Sequence, residues 1–474
     1  MKKPHAKPVM LVLALIIATG AAMAYTAKAK PGVSPPAPPL AAAADNVLTL
    51  SGHLVQTHVL KGSPGNVSIE LILAAGRGPE EAAADPRGVD LVVVLDRSGS
   101  MQGAKLEHAR QSLHQLLPKL TDRDRFALFS YSDAVQKHCD LLPVDDCNRG
   151  LMQAAVHRIS ANGATNLGDG LRAGIDLITA SGNPGRPGRV ILISDGLANR
   201  GLTDPAALGR LAAGAAGKEF GVSTVGVGAD FNEFLMTQIA DRGAGSYYYL
   251  ENPAAFAEVF QTEFRSVQSA WITGITVQVD LPAGGRLVDA SGYPVSVTGN
   301  QAVFHPGSLK PGQTRRLFLS FQVPTDRETS IDLGRIVARY QHQGEAREAA
   351  LEQPLRVACV GDQARVLSSI DRTRWEQKVL TEDYNRLKQE VAAEISAGSR
   401  EEAMKRIAAY QSEQNQLNAT VRSPEISRNL EKDVSELKKR VDETFQGAPT
   451  AVMEKQKSSA KSLQYEGYSN RRSH

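Results

Sequence analysis

The chain lacks the short signatures of several common enzyme classes. It has no GxSxG nucleophile elbow, no HExxH zinc signature and no phosphate-binding GxxxxGK[ST] loop. These absences exclude the hydrolases, metalloproteases and nucleotide-binding proteins that depend on those motifs. Charge of either sign is also not in large excess, because the formal net charge is +3 over 474 residues. We therefore expect no nucleic-acid partner.

Cysteine is scarce as well, with three residues in the chain. Three cysteines are too few for a disulfide scaffold, and their spacing does not suit zinc. Cys139 and Cys147 flank a short polar loop, and a small disulfide between them is expected in an oxidising compartment. Cys359 has no obvious partner and is predicted to be a buried apolar residue at the end of a strand.

The amino terminus resembles a secretory signal. Lysines precede an apolar run over 9–18, and small residues at 22–24 offer a cleavage site. We predict a signal peptide in 1–24, with an uncleaved membrane anchor as the alternative because the apolar stretch approaches the lower limit of roughly 17 residues for a span. Residues 25–45 are rich in proline and alanine and should form an extended linker. The protein is expected to be periplasmic or otherwise extracytoplasmic.

The most informative segment is residues 91–101, which read LVVVLDRSGSM. The apolar run predicts a strand buried on both faces. Asp96, Ser98 and Ser100 follow at its carboxyl end, where open α/β sheets bind ligands. Oxygen ligands suit a hard cation, above all Mg²⁺, although Mn²⁺ or Ca²⁺ is an alternative. Taken alone, the same residues would also suit a helix N-cap.

Two later segments add further oxygen ligands. Thr165 lies in the loop NGATNLGDG, and Asp195 ends the apolar strand VILISDG. With these elements, residues 88–268 resemble the von Willebrand factor A (VWA) domain, whose DxSxS, Thr and Asp elements form a metal-ion-dependent adhesion site. The resemblance implies that Ser98 and Ser100 bind metal directly, that Thr165 or a water takes another position, and that one position remains for a partner's carboxylate. Asp96 and Asp195 would act directly or through water.

Periodicity divides the chain into modules. Helical and strand patterns alternate over 88–268, which predicts an α/β fold with a doubly wound, mostly parallel, Rossmann-like sheet. Residues 270–360 alternate with a period of two, which is typical of a β-sandwich. Residues 46–77 show the same alternation, and two strands alone are marginally stable. We therefore predict that they join the later sandwich, so that the VWA domain is inserted between its strands.

The last part of the chain has helical periodicity. Apolar stripes over 362–446, interrupted at 398–399 and 423–424, predict a hairpin or bundle of about three helices. Residues 447–474 are rich in Ser, Lys, Gln and Arg and are predicted to be a disordered tail. The whole order of modules resembles bacterial exported VWA proteins and, more loosely, the inter-alpha-trypsin inhibitor heavy chains.

These observations predict a non-enzymatic, divalent-cation-dependent protein-binding module of the bacterial cell envelope. Its partner would be a protein that presents an Asp or Glu carboxylate to the bound Mg²⁺, and the amino terminus would anchor it to the membrane if the signal is not cleaved. One alternative is a metal-assisted hydrolase, in which the cation activates water. The other is a structural scaffold with a metal site that has lost its function.

Overall fold

The computed structural model describes residues 47–78, 88–181, 186–215 and 220–472. The predicted signal, 1–24, and the linker, 25–45, lie outside these residues. Within the described chain, no helix is both long enough and apolar enough to cross a membrane.

Within the described residues, three strands precede the predicted VWA domain. They are β1 (Leu48–Leu54), β2 (His58–Leu60) and β3 (Asn66–Ala75). β1 pairs antiparallel with β3 over the whole length of β1, from Leu48 opposite Ala75 to Leu54 opposite Ile69. Alternate residues of β1 are buried, which matches the period of two in the sequence.

Residues 88–268 form a separate α/β unit, here called the metal module. Its strands are β4 (Asp90–Asp96), β5 (Arg125–Tyr131), β6 (Val135–Pro143), β7 (Gly188–Ser194), β8 (Phe220–Val227) and β9 (Ala244–Leu250). Its helices are α1 (Ala104–Leu116), α2 (Asp146–His157), α3 (Leu167–Ala180), α4 (Pro205–Ala213), α5 (Glu233–Arg242) and α6 (Phe256–Gln268).

The metal module is built on one six-stranded sheet. The strand order is β6-β5-β4-β7-β8-β9, and every neighbouring pair is parallel except β5 and β6. All residues of the central strands β4 and β7 are buried, because helices cover both faces of the sheet. The prediction of an α/β fold with a doubly wound, mostly parallel sheet is confirmed.

Nine strands follow the metal module. They are β10 (Thr273–Asp280), β11 (Arg286–Ala290), β12 (Ser296–Thr298), β13 (Gln301–Phe304), β14 (Thr314–Gln322), β15 (Thr329–Asp332), β16 (Ile336–His342), β17 (Glu345–Ala350) and β18 (Arg356–Val360). They combine with β1–β3 in three sheets, ordered β1-β3-β14-β11, β12-β13-β10-β16-β17 and β15-β18-β2. We call these strands together the β-module.

Strands from both sides of the metal module lie in the same sheet. β3 pairs antiparallel with β14 from Asn66 opposite Gln322 to Ala74 opposite Thr314. The two larger sheets also share one hydrophobic core, which includes Leu71, Val277 and Leu319. The chain therefore starts the β-module, forms the metal module and then returns to complete the β-module.

The two connections between these modules touch each other. Gly78, just after β3, lies so close to Trp271, just before β10, that a methyl group at Gly78 would be 3.5 Å from Trp271 Cε2. The Trp271 ring meets the His342 ring edge to face, with centroids 4.8 Å apart, and the Trp271 carbonyl lies 3.0 Å from His342 Nδ1. The chain thus leaves and re-enters the β-module at one fixed point.

The carboxyl-terminal part is helical, as predicted. Its helices are α7 (Gln363–Ser368), α8 (Arg372–Lys378), α9 (Tyr384–Ser396), α10 (Arg400–Val421), α11 (Pro424–Arg428), α12 (Val434–Thr444) and α13 (Pro449–Arg472). π-helical turns at Val379–Asp383 and Asn429–Asp433 join α8 to α9 and α11 to α12. The apolar stripes seen in the sequence form the core between these helices.

The prediction that residues 447–474 are disordered is wrong for 449–472, which form α13. Polar residues dominate the composition of this segment and conceal one buried face. That face contains Ala460, Leu463, Gly467 and Arg471, which are spaced three or four residues apart. The face packs along α9 and against β9 of the metal module, so the helix is stabilised by tertiary contacts that composition does not reveal.

The end of α13 joins three parts of the molecule, at a cluster that we call the junction. Arg471 donates to Glu382 of the helical region at 2.8 Å and to Asp289 of β11 at 2.6 Å. Arg472 donates to Asp241 of α5 at 2.9 Å. Tyr468 donates to the same Asp241 at 2.9 Å. The junction therefore connects the helical region, the β-module and the metal module through buried ion pairs.

The expected disulfide between Cys139 and Cys147 is absent, since all three cysteines lie in the described chain and are free. Cys139 is in β6 and packs against the core of the metal module, whereas Cys147 is exposed in α2. Burial raises the pKa of the Cys139 thiol to about 11. Cys359 is buried, as predicted, with 2% of its surface exposed.

Candidate metal site

Two neighbouring strands carry the acidic residues of the site. Asp96 is the last residue of β4, and Asp195 directly follows β7. The two strands are parallel neighbours, with Leu95 opposite Ile193. Because parallel strands end at the same edge of the sheet, the two carboxylates lie side by side, and both residues are fully buried.

Serine hydroxyls connect the two strand ends. Ser98 Oγ lies 3.1 Å from Ser100 Oγ, and Ser100 Oγ donates to Asp195 Oδ1 at 2.7 Å. Asp96 Oδ1 accepts a hydrogen bond from the Ser98 amide at 2.8 Å, which fixes the start of the loop. The DxSxS spacing thus places the Ser98 hydroxyl beside that of Ser100, which in turn contacts Asp195.

Thr165 reaches the same site from a different loop. It lies just before α3 and is 3% exposed. Its amide donates to Asn199 Oδ1 at 3.0 Å, and its carbonyl accepts from the Asn199 amide at 3.2 Å. A methyl group at Gly196 would be 3.5 Å from Ser100 Oγ and 3.6 Å from Thr165 Oγ1. The structure therefore brings all five predicted residues to one place.

Two contributing residues were missed by the sequence analysis. Ser194 donates its hydroxyl to Asp96 Oδ2 at 2.9 Å. Lys105, near the start of α1, places its ammonium 2.5 Å from Asp195 Oδ2. Ser194 could have been recognised in the sequence, because it directly precedes Asp195. Lys105 could not be recognised in the sequence, because the position of its ammonium depends on how the loop over 99–103 leads into α1.

The buried environment of this site is unfavourable for the negative charge of its carboxylates. Burial raises the pKa of Asp96 to about 6, the hydrogen bonds from Ser98 and Ser194 lower it, and the nearby Asp195 raises it further. Two carboxylates share this edge of the sheet, and the ammonium of Lys105 lies beside one of them. An additional cation would therefore be attracted to the site.

The donor set fits a hard divalent cation. Octahedral Mg²⁺ holds its oxygens at roughly 2.1 Å, which puts neighbouring oxygens about 3.0 Å apart. The separations of Ser98, Ser100 and Asp195 oxygens are 2.7 and 3.1 Å. No group of three or more His, Cys, Asp or Glu side chains suited to a metal occurs in the described residues. The hydroxyl groups are thus essential to any cation site built here.

Comparison with known proteins gives the family of the metal module. The family model for the von Willebrand factor type A domain matches residues 90–262. The Escherichia coli K12 protein YfbK is 29% identical over 211 residues, which cover 44% of this chain and 36% of that protein. The Synechocystis protein sll0103 is 25% identical over 325 residues, covering 66% and 76% respectively. Human inter-alpha-trypsin inhibitor heavy chain H4 is 26% identical over 206 residues, 42% of this chain and 22% of that protein.

Solved structures show the same fold. A von Willebrand factor type A protein from Catenulispora acidiphila has a TM-score of 0.65 at 18% identity, over 88% of this chain and 96% of that one. The ArnB paralog VWA2 from Sulfolobus acidocaldarius has a TM-score of 0.52 at 15% identity, over 88% and 99%. Both similarities extend well beyond residues 90–262. The family match and the shared fold together identify residues 90–262 as a von Willebrand factor type A domain.

Proposed function

We propose that this protein binds another protein through a divalent cation, most suitably Mg²⁺, that accepts a carboxylate from the partner. The observation that carries the proposal is the group of oxygens on Ser98, Ser100 and Asp195, which are spaced like neighbouring ligands of one small cation. VWA domains are typically metal-dependent protein-interaction modules. That general property supports the specific role proposed here.

In this proposal each residue of the site has a defined task. Ser98 and Ser100 bind the cation directly, and Thr165 does so directly or through water. Asp96 and Asp195 bind directly or through water and offset its charge. A bound divalent ion supplies a strong electrostatic attraction for an Asp or Glu side chain of the partner. Since metal and partner binding are coupled, each should increase the affinity of the other.

We propose binding without catalysis. A metal-assisted hydrolase would need a group able to take a proton from the attacking water. Asp96 accepts hydrogen bonds from Ser98 and Ser194, and Asp195 accepts from Ser100 and Lys105. These contacts favour a role for both carboxylates in holding a cation.

We also propose that the protein works in the bacterial cell envelope, either exported or held by its amino terminus. The support is the lysine-rich start and apolar run within residues 1–24. Amino-terminal sequencing of the protein isolated from the envelope tests this. A mature chain beginning near Tyr25 indicates export with cleavage, a chain beginning at Met1 in the membrane fraction indicates an anchor, and recovery in the cytoplasm alone refutes the location.

Calorimetric titration tests the metal site, and affinity capture from envelope extracts tests the partner. We expect Mg²⁺ uptake by the full chain and capture of a partner that chelator releases. Mg²⁺ uptake and partner capture should each be abolished in Asp96→Ala, Ser98→Ala and Ser100→Ala. Ser112→Ala changes a buried serine of α1 and should behave like wild type. If the wild type binds no divalent ion even with the captured partner, or if Asp96→Ala captures it equally well in chelator, the proposal fails.

A further inference from the structure

Lys105 is the cationic partner of Asp195. Its ammonium lies 2.5 Å from Asp195 Oδ2, while Asp195 Oδ1 accepts from Ser100. The Lys105 side chain is 27% exposed, whereas that of Asp195 is completely buried. The lysine therefore enters the site from the solvent side and neutralises a carboxylate that has no contact with water.

We propose that Lys105 is an internal competitor of the divalent cation: it occupies Asp195 when no metal is bound, and it moves toward Asp230 when metal enters. This inference deepens the proposed function and rests on the same metal site. It assigns Lys105 the role of setting the affinity for metal.

Competition follows from the geometry around Asp195. Any cation held by Ser100 Oγ and Asp195 must lie within a few ångströms of the Lys105 ammonium, because both groups contact the same carboxylate. Two like charges at about 4 Å repel each other strongly in a buried environment. The lysine side chain is flexible, with a four-carbon stem, so it can leave without a change in the fold.

A second carboxylate, that of Asp230, belongs to the segment that Lys105 touches. The lysine passes along Gly228, where a methyl group would be 3.5 Å from Lys105 Cε and 3.6 Å from Nζ. Asp230 follows two residues later. Lys457, Lys105 and Lys461 all lower the pKa of Asp230, with Lys457 contributing most. Lys105 is thus already within electrostatic range of Asp230, which can receive it when Asp195 is taken by metal.

Asp230 also connects this movement to α13. Its Oδ1 accepts a hydrogen bond from Lys457 of α13 at 2.9 Å, in a pair that is largely exposed. A carboxylate has two oxygens and can accept from two ammonium groups. Lys457 and the released Lys105 would therefore share Asp230, and removal of Lys457 should make that carboxylate a better acceptor for Lys105.

Calorimetric titration of the full chain with Mg²⁺ and with Mn²⁺, without partner, tests the inference. Lys105→Met should bind either ion tighter by roughly tenfold or more, because the competing charge is gone. Asp230→Asn should bind several-fold more weakly, and Lys457→Ala slightly tighter than wild type. In the Lys105→Met background, Asp230→Asn should have no further effect. Lys137→Met, at an exposed lysine paired with Asp140, is the matched control and should leave affinity unchanged.

Thermal melting in chelator provides an independent readout. Lys105→Met should melt lower than wild type in chelator, because Asp195 is then buried without a cation, and Mg²⁺ should restore its stability. Lys105→Arg keeps the charge and should retain wild-type affinity. If Lys105→Met and wild type bind metal equally, the competition is refuted and the proposed function stands; if neither binds metal, even with the captured partner, both are refuted. Should Lys105→Met fail to fold, unchanged metal affinity in Asp230→Asn and Lys457→Ala would refute the inference.

Discussion

The metal site and the junction are both buried clusters of carboxylates, but their charges are balanced in different ways. At the junction, the guanidinium groups of Arg471 and Arg472 bind Glu382, Asp289 and Asp241 at 2.6–2.9 Å. At the metal site, Asp96 and Asp195 are held by serine hydroxyls and by one partly exposed lysine. Both clusters hold carboxylates away from water, yet only the junction supplies rigid cations of its own.

This difference distinguishes a structural cluster from a site that exchanges its cation. Guanidinium is always charged, and its fixed fork of donors holds carboxylates in one geometry. A buried charge that loses such a partner is strongly destabilising. Hydroxyl groups donate to carboxylates without neutralising them, which suits the proposed exchange of a cation with solvent. The junction therefore holds the modules together, whereas the metal site has the charge balance that the proposed function requires.

The largest effect should follow from deletion of residues 449–472. This change removes α13, exposes the apolar surface under Leu463 and Tyr468, and leaves three junction carboxylates without arginine. We expect a loss of roughly 5 kcal/mol or more in the free energy of unfolding, from lost apolar burial and unpaired charge. Urea denaturation measures it, and a shortened chain as stable as the full one would show that α13 is not part of the folded unit.

Arg471→Ala should destabilise less than the deletion but still strongly. It leaves Glu382 and Asp289 without their shared guanidinium, and a broken buried pair typically costs about 3–5 kcal/mol. Arg356→Ala is the matched control, because its pair with Asp332 is exposed and should be worth less than about 1 kcal/mol. Equal urea midpoints for the two variants would remove the distinction between buried and exposed ion pairs made here.

We expect Mg²⁺ to stabilise the protein by binding at the metal site and not at the junction. At a concentration of 100 times Kd, Mg²⁺ should raise the free energy of unfolding by about 2.7 kcal/mol. Ser100→Ala should lose this gain and be slightly less stable than wild type in chelator, because Asp195 loses a hydrogen bond. Arg471→Ala should keep the gain but have a lower free energy of unfolding both with and without Mg²⁺. Melting curves with Mg²⁺ and with chelator separate these outcomes. An Mg²⁺ gain that survives in Ser100→Ala would place the responsible cation elsewhere.

The smallest effect is expected at the exposed contact between α13 and the metal module. Lys457→Ala removes the pair with Asp230, in which both side chains are more than half exposed. We expect no measurable change in melting temperature in chelator, because exposed pairs contribute little. Lys461→Met, by contrast, removes a buried ammonium that donates to the Phe231 carbonyl and to Glu233, both at 2.7 Å. This variant should have a lower melting temperature than wild type. Equal melting temperatures for the two variants would contradict the expectation that the buried lysine stabilises the protein more than the exposed one.

The sequence predicts strands β4 and β7 of the metal module well, because each of these apolar runs leads into an acidic residue, whereas β6 and β9 were not predicted. Asp96 and Asp195 stand out for that reason. Thr165 does not, since its loop has no strand before it, and its assignment depends on the resemblance to VWA domains. Lys105 could not be found, because the position of an ammonium at the end of a flexible stem depends on the path of the preceding loop.

Helix α13 escaped prediction for a different physical reason. Its composition is that of a solvated tail, and its buried contacts are made largely by tyrosine, lysine and arginine. Such side chains bury their stems and rings only when another surface accepts their polar ends. That surface comes from α9, the metal module and β11, all of which are distant in the chain. Local sequence therefore holds little information about it.

Because Gly78 lies against Trp271, both connections of the VWA domain to the β-module lie at neighbouring positions. Since both of its connections start from one point, another domain with similarly spaced ends would leave the pairing of β3 with β14 intact, but it would also have to replace the contacts of Phe231 and Asp241 with α13. Domains whose termini lie close together are the ones that tolerate such insertion. Under the proposed function, replacement of the domain between these two adjacent positions would change the ligand preference of the protein and keep the β-module.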